Sequence, residues 1–310
     1  EVLELYRYDD WFKDKKIMCN YRKTGNLESK VKRIKKEAEN ALLNGAKIIF
    51  LTDEGLREGF LPIPMPLIVS SLHHYLVEKK MRSKVSIICI TADACEDHHL
   101  AVLIALGASA VYPYMAYELI REHFDGDDWS IKMNNYRYAL ENGLLKIMSK
   151  MGISTISSYC GSMLLHSIGL GPKISKFFFP SIPSNLGGIE IGFVKDILSK
   201  RHDLAYNQGE KGLLSEKGMF RYRKNGELHG YDPKTFRNIQ NTASSKKLIK
   251  NINQDVVYIR DFLKVKAKRS SIDINLVEST DSILKRFGSG GISFGAISAV
   301  SHRELARGFA

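Results

Sequence analysis

The apolar positions in the first half of the chain alternate between a helical period and short continuous runs. Residues 27–43 carry apolar side chains at helical spacing, and Asn26 is suited to cap the start of that helix. Gly45 follows where a helix commonly ends in a left-handed residue. Apolar runs typical of buried strands occur at residues 47–52, 84–90 and 109–113, and helices are predicted at 67–79, 95–106, 117–123 and 136–150.

A fourth repeat is predicted within residues 142–161. Apolar side chains recur at helical spacing up to Met151, and Gly152 stands where the helix needs a residue with positive φ. The following run of residues 153–157 is rich in β-branched side chains, which favours a fourth buried strand.

This succession predicts an α/β fold built from parallel βα repeats. Helical crossovers between neighbouring strands give a parallel sheet. The repeats would form either an incomplete, barrel-like sheet or an open twisted sheet with surrounding helices. The period of the pattern alone does not separate the two.

The pattern loosens after Gly161. Helices are predicted at 193–200, 233–243 and 246–262, and a new strand at 292–297 follows the glycine-rich residues 288–291. We divide the chain into a lead-in segment (1–26), a central α/β domain (27–263), and a basic linker with the start of a further domain (264–310). Because the chain begins with Glu1 and ends inside a helical pattern, we expect it to be part of a longer protein.

Composition excludes some classes of protein and leaves one alternative open. Hydrophobic residues make up 44% and charged residues 26% of the chain, which is ordinary for a folded domain, and no apolar run approaches the roughly 20 residues of a membrane-spanning helix. The net charge of +12 is compatible with nucleic acid as a partner. Its lysines and arginines, however, are spread over segments typical of solvated helix faces. Neither a nucleic-acid partner nor a membrane partner is therefore expected. A free-standing basic module that binds nucleic acid or a phosphate ligand is kept as the alternative.

The four cysteines form no spacing typical of a metal site or a disulfide framework. Cys19, Cys89, Cys95 and Cys160 contain no CxxC pair, which favours reduced, mostly buried thiols of an intracellular, cytoplasmic protein, with an organelle left open. Cys160 follows a predicted strand, but a packing thiol is the favoured interpretation over a nucleophile.

Paired histidines occur twice, at positions 73–74 and 98–99. Adjacent helical residues point about 100° apart, so we expect helix-face histidines and no metal site. The glycine-rich residues 288–295 would let backbone N–H groups approach a flat ring or a phosphate, although a plain turn gives the same pattern.

Six segments in order resemble one family. They are the runs KIIFLTDEG, PIPMPLIVSSLHHYLV, DHHLAVLIALGASAVYPYMAYE, NGLLKIMSKMGIST with SYCGS, GMFRYRKNGELHGYDPKTFRNIQ, and ILKRFGSGGISFGAISAVSHRELA. Together they are similar to the central domain of glutamate synthase and the start of its flavin domain.

The resemblance implies a function for the longer protein. Members of the family release ammonia from glutamine, channel it, and add it to 2-oxoglutarate with reduction by FMN, which is fed through a 3Fe–4S cluster. Glutamate synthase is an oxidoreductase, and this chain would connect its glutaminase and FMN domains while being inactive alone. The implied electron donor is ferredoxin or an NAD(P)H-dependent subunit or domain.

Few site residues carry over from the family. Ile292, Ser293, Phe294, Gly295 and Ala296 match the family segment that lines the flavin, which implies FMN contact, mainly through the backbone. Val300 stands where the family pattern has an acidic residue. No catalytic residue and no metal ligand is expected in this chain.

Overall fold

The computed structural model describes residues 13–124, 128–207, 218, 221–245, 258–259, 263, 266 and 270–310. The chain divides into two compact units, Glu1–Gly212 and Leu213–Ala310. The predicted domain boundaries at 26/27 and 263/264 stay a prediction.

A four-stranded parallel sheet is the centre of the first unit. Its strands are β1 (Asp14–Met18), β3 (Ile48–Thr52), β5 (Ser86–Ile90) and β6 (Ala110–Tyr112), and they neighbour one another in chain order. All three pairings are parallel, in the registers Lys16 with Phe50, Phe50 with Ile88, and Ile88 with Ala110. The α/β class and the open, unclosed sheet are confirmed.

Five helices overlap those that the apolar pattern predicted. They are α1 (Leu27–Leu43), α2 (Met65–Glu78), α3 (Asp97–Ala105), α4 (Tyr114–His123) and α5 (Asp128–Lys150). Helix α5 packs mainly on α3 and α4 rather than on the sheet. The Asn26 side chain accepts a hydrogen bond from the Ser29 N–H at 2.8 Å, and Gly45 has φ +91° just after α1. Both predictions about the ends of this helix are confirmed.

One face of the sheet forms the hydrophobic core with α1 and α2. Ile49, Leu51 and Ile87 point to this face at every second position and are fully buried. They pack in one cluster with residues spaced three and four apart on the two helices: Val31, Ile34, Ala38, Ile68, Leu72 and Leu76. Burying such aliphatic side chains stabilises the fold by about 1.5–3 kcal/mol each.

The predicted fourth strand at 153–157 is wrong. Ile156–Tyr159 forms a short helix, α6, and the backbone beyond it bonds to the end of α3: Gly161 N–H donates to the Ile104 carbonyl at 3.0 Å, and Met163 N–H to the Ala105 carbonyl at 3.3 Å. The positive φ of Gly152 is as predicted. The β propensity of this five-residue run was therefore outweighed by tertiary contacts of the residues that follow it.

The fourth strand of the sheet is instead β1, in a segment assigned to the lead-in. Its sequence, DKKIM, buries only Ile17 among five residues. An edge strand pairs on one side only and tolerates charged side chains, so it shows little apolar pattern.

Shorter elements complete the first unit. An antiparallel pair joins β2 (Asn20–Arg22) with β4 (Phe60–Pro62), and a parallel pair joins β7 (Ser167–Leu170) with β8 (Ser184–Ile189). Helices α7 (Pro172–Phe178) and α8 (Ile191–Asn207) lie between and after the last two strands. Helix α8 contains the predicted helix at 193–200.

The second unit contains α9 (Pro233–Ser245), α10 (Thr280–Leu284) and α11 (Ala299–Phe309). The helix predicted at 233–243 is confirmed, and the one at 246–262 falls almost entirely outside the described residues. The strand predicted at 292–297 is wrong, because Phe294–Ala296 forms a 3₁₀ turn. A strand needs a hydrogen-bonded neighbour, and the described part of this unit provides none.

Glycine is required at position 107 by both conformation and space. Gly107 has φ +118°, and a Cβ there would lie 2.2 Å from the His73 Nδ1 atom.

We predict that Gly107→Ala lowers the free energy of unfolding by about 2 kcal/mol or more. The matched control is Gly192→Ala, where a Cβ meets nothing within 4 Å; a change of less than about 1 kcal/mol is expected there. Urea unfolding followed by circular dichroism measures both, and equal effects would contradict the assignment.

Candidate functional site

A cavity of about 540 Å³ opens at the carboxyl ends of β3 and β5. Ligands of open α/β sheets bind at this edge, and the volume suits a small molecule. The wall opposite the sheet is α8, and the rest comes from the loops after β3 and β5 and the start of α4. Its lining residues include Asp53, Ala92, Asp93, Tyr114, Arg201 and His202.

The floor of this cavity is the buried carboxylate of Asp53. It accepts hydrogen bonds from the Thr91 hydroxyl at 2.6 Å and from the Ala92 N–H at 3.1 and 3.2 Å. The Tyr114 hydroxyl donates to it as well. Burial raises the pKa of Asp53, while these donors oppose that rise. The carboxylate therefore joins the ends of two strands to α4 and is not a free base.

Tyr114 is a hydrogen-bond donor under all ordinary conditions. Burial and the neighbouring Asp53 raise the pKa of its hydroxyl well above the usual range. A neutral phenol beside a carboxylate donates its proton in a hydrogen bond rather than releasing it.

Side chains of α8 make two ionic contacts beside the cavity, Arg201 with Asp93 and Asp203 with Lys23. Arg201 donates to Asp93 at 3.1 Å. The His202 Nε2 atom accepts from the Gly59 N–H at 3.0 Å, so its proton is on Nδ1, which donates to Asp203 at 3.2 Å. Lys23 also donates to Asp203, and this contact lowers the pKa of that carboxyl group. These contacts fix α8 across the mouth of the cavity.

This arrangement is suited to holding or enclosing a small polar molecule rather than to covalent chemistry. The polar side chains described above are already engaged with one another. Within the described ranges, no three His, Cys, Asp or Glu side chains cluster closely enough to hold a metal ion. No described helix is long and apolar enough to span a membrane.

The cysteines differ in exposure. Cys19 and Cys89 are fully buried, and burial raises the pKa of the Cys19 thiol to about 12. Burial also raises the pKa of Cys160, whose thiol donates to the Ala108 carbonyl at 3.3 Å. Cys95 is exposed, and it is the one exception among the four to the expectation of mostly buried thiols. The protonated, hydrogen-bonded Cys160 is a packing residue, as the sequence favoured.

The paired histidines contact protein groups. His74 contacts the Ser70 carbonyl and the Ser181 hydroxyl, each at 2.8 Å, and His98 contacts Asp97 at 2.9 Å. The His73 Nδ1 atom accepts from Arg82 Nε at 3.1 Å. They are helix-face histidines in the described structure.

Two family profiles match the chain in order. Residues 1–171 match the family described as the glutamate synthase central domain, and residues 232–310 match the conserved region in glutamate synthase. This chain belongs to the glutamate synthase family.

Individual relatives agree with this assignment. The chain is 33% identical over 292 residues to the glutamate synthase [NADPH] large chain of Bacillus subtilis, 32% over 312 residues to the ferredoxin-dependent glutamate synthase of Pyropia yezoensis, and 34% over 291 residues to the glutamate synthase [NADPH] large chain of Azospirillum brasilense. These matches cover 90–91% of the chain and 19–20% of the relatives. The chain thus spans about a fifth of the length of the curated relatives that it matches.

The residues that resemble the flavin segment of glutamate synthase lie in the second unit. Ile292 and Ser293 precede the 3₁₀ turn Phe294–Ala296, which contains Gly295. Phe294 is 64% exposed, and its ring packs edge-on against His302. Their contact with FMN stays a prediction.

No motif in the sequence predicts a role for Asp53, Tyr114 or His202. A signal for Asp53 exists, because an acidic residue directly follows an apolar parallel strand, where functional side chains collect. His202 shows no such signal, since its position depends on how α8 packs. The structure brings these three residues to one cavity.

We predict that Asp53→Asn lowers the free energy of unfolding by about 2–3 kcal/mol. All the groups that bond to Asp53 are donors, and an amide NH₂ would face at least one of them. Asp93→Asn is the control, because it removes only the exposed ion pair with Arg201 and is expected to cost about 0–1 kcal/mol. Urea titrations compare the two variants, and a loss no larger than the control's would rule out the structural role.

His73 makes the stability of the fold depend on pH. Burial, with a contribution from Arg82, lowers the pKa of His73 to about 4. The unfolded chain therefore binds this proton first, and stability falls as pH drops from about 6.5 to about 4. We predict that between pH 7 and pH 5 the wild type loses about 1–2 kcal/mol more than His73→Gln. Chemical unfolding at pH 7 and at pH 5 measures the free energy of unfolding of each variant. Gly192→Ala changes no titratable group and is the control, which should lose as much stability between the two pH values as the wild type.

Proposed function

We propose that this chain is the connecting section of a glutamate synthase, which makes L-glutamate from glutamine and 2-oxoglutarate. The observation that supports this most is the ordered match of both family profiles on one chain. In this proposal a glutaminase domain releases ammonia, and a flavin domain uses it. The comparisons do not support the alternative of a free-standing module for nucleic acid or a phosphate ligand.

The role of this section is to hold the two reaction centres in fixed register and to separate the ammonia path from water. Its core sheet suits that role, because the Asp53 carboxylate and the α8 contacts hold the carboxyl edge in one conformation. Excluding water limits the loss of a reactive intermediate. We expect no glutaminase activity from this chain alone.

FMN and a 3Fe–4S cluster are the proposed cofactors of the longer protein, and FMN would supply the reducing electrons. Ile292 to Ala296 fit this flavin only in part. Gly288, Gly290 and Gly291 leave open space beside the backbone, which permits close approach of a flat ring. The side chains are exposed on a single turn and do not enclose a pocket within the described structure.

The proposed electron donor is ferredoxin or an NAD(P)H-dependent subunit or domain. Relatives named for NADPH and for ferredoxin match this chain at 32–34% identity and over the same share of its length. This similarity supports a section common to both kinds of enzyme, with the choice of donor made elsewhere. We propose an intracellular, cytoplasmic enzyme.

A chimaera tests the connecting role. The aligned section of the Bacillus subtilis large chain is replaced by this chain, and three rates are measured: glutamine hydrolysis, glutamate formation from added ammonia, and glutamate formation from glutamine. We expect the chimaera to catalyse all three reactions, and the rate of glutamine consumption to equal the rate of glutamate formation. Replacing the same section by a flexible linker is the control and should abolish formation from glutamine. A chimaera that retains both partial reactions and leaks all its ammonia would refute the proposal.

A further inference from the structure

Helix α5 carries large apolar side chains on two opposite sides. Its inner side packs on the protein through the buried residues Leu140 and Met148. The opposite side, named here the outer face, carries at spacings of four and three Ile131, Asn135, Tyr138, Asn142, Leu145 and Ser149. These positions lie within about 50° of the direction opposite Leu140. A helix with apolar stripes on both sides is typically buried on both.

The outer face is open in the described structure and carries no charge. Ile131 is 57%, Tyr138 69% and Leu145 59% exposed. Solvated helix faces are normally charged, whereas the centres of protein interfaces are depleted of charge and enriched in tyrosine. The outer face therefore has the composition of an interface.

The order of residues on this face reads the same in both directions. From Tyr138 outward, each side has first an asparagine (Asn135 or Asn142) and then a large aliphatic residue (Ile131 or Leu145). Two such helices in antiparallel orientation about Tyr138 would place Ile131 against Leu145 and Asn135 against Asn142. Such self-complementarity is what a twofold interface requires.

Charges at the border of the face agree with the same arrangement. Asp128 and Lys146 lie on the same side of the outer face, near opposite ends of the helix. When two such helices pair in antiparallel orientation, the border that carries Asp128 and Lys146 on one helix lies beside the same border of the other. Asp128 of one helix therefore faces Lys146 of its partner. In a parallel pair, opposite borders meet at the same level, so this contact between Asp128 and Lys146 would not form.

We propose that the outer face of α5 binds the outer face of a second copy of this chain, with the helices antiparallel about a twofold axis at Tyr138. The paired asparagines fix the register, since amide side chains in such a seam prefer to bond each other. A 23-residue helix is about 34 Å long, so the contact is at the small end of specific interfaces. The dimer is accordingly weak and depends on concentration.

Sedimentation velocity of the 310-residue chain between about 1 and 300 µM tests self-association. We expect a shift from monomer to dimer that Tyr138→Lys weakens at least tenfold, because two like charges would meet on the axis. Arg137→Ala, on the flank of the helix, is the control and should leave association unchanged. Since Tyr138 is exposed in the monomer, the thermal melting curve of the variant should match that of the wild type. A chain that is monomeric at every concentration, or a dimer indifferent to Tyr138→Lys, overturns the proposal.

Oxidative cross-linking tests the axis itself. In a Cys95→Ser background, which removes the exposed native thiol, Tyr138→Cys should form a disulfide-linked dimer because equivalent residues meet on a twofold axis. Arg137→Cys, one position along the helix, is the matched control and should cross-link far less. Equal cross-linking of the two variants would overturn the proposed twofold axis at Tyr138.

Discussion

The buried carboxylate of Asp53 is the constraint on which the carboxyl edge of the sheet depends. A charge in this position is costly unless donors surround it, and here the Thr91 hydroxyl, the Ala92 N–H and the Tyr114 hydroxyl all point to it. These donors come from the end of β5 and the start of α4. One side chain at the end of β3 therefore fixes three elements, and the cavity next to it has a rigid floor.

A second set of hydrogen bonds joins α2 to the segments that precede β5 and β6, at the amino ends of these strands. Arg82 donates to His73, to the Val85 carbonyl at 2.6 Å and to the Gly107 carbonyl at 2.7 Å. Gly161 also lies against the His73 ring, where a Cβ would come within 2.5 Å of its Cε1 atom. Because Gly161 bonds to the end of α3, the chain after α5 is held there and does not extend the sheet. The contacts of Asp53 and of Arg82 thus hold the two ends of the strands in the first unit.

The accuracy of prediction followed the amount of burial. Helix α1 was predicted to the residue because its apolar face is regular and its cap, Asn26, is local chemistry. Strands β3 and β5 were found since their apolar side chains are largely buried, and β6 was found from its apolar run although none of its three residues is fully buried. Strand β1 was missed, as an edge strand carries little apolar pattern. The run at 153–157 was misassigned because Ile153 bonds back to Met148 of α5, and the chain beyond the run bonds to the end of α3 through Gly161 and Met163.

The sequence by itself determined the α/β class, the main helices and the family, because these depend on local periodicity and on extended residue identity. Only the tertiary structure decided which strands pair, which polar groups meet and which apolar residues stay exposed. His202 reaches the cavity through the packing of α8, some 150 residues after Asp53 in sequence. Likewise, the stripe around Tyr138 has the spacing of a core face, and only its exposure in the folded chain separates an interface from a core. Long-range contacts set both outcomes, and no local pattern encodes them.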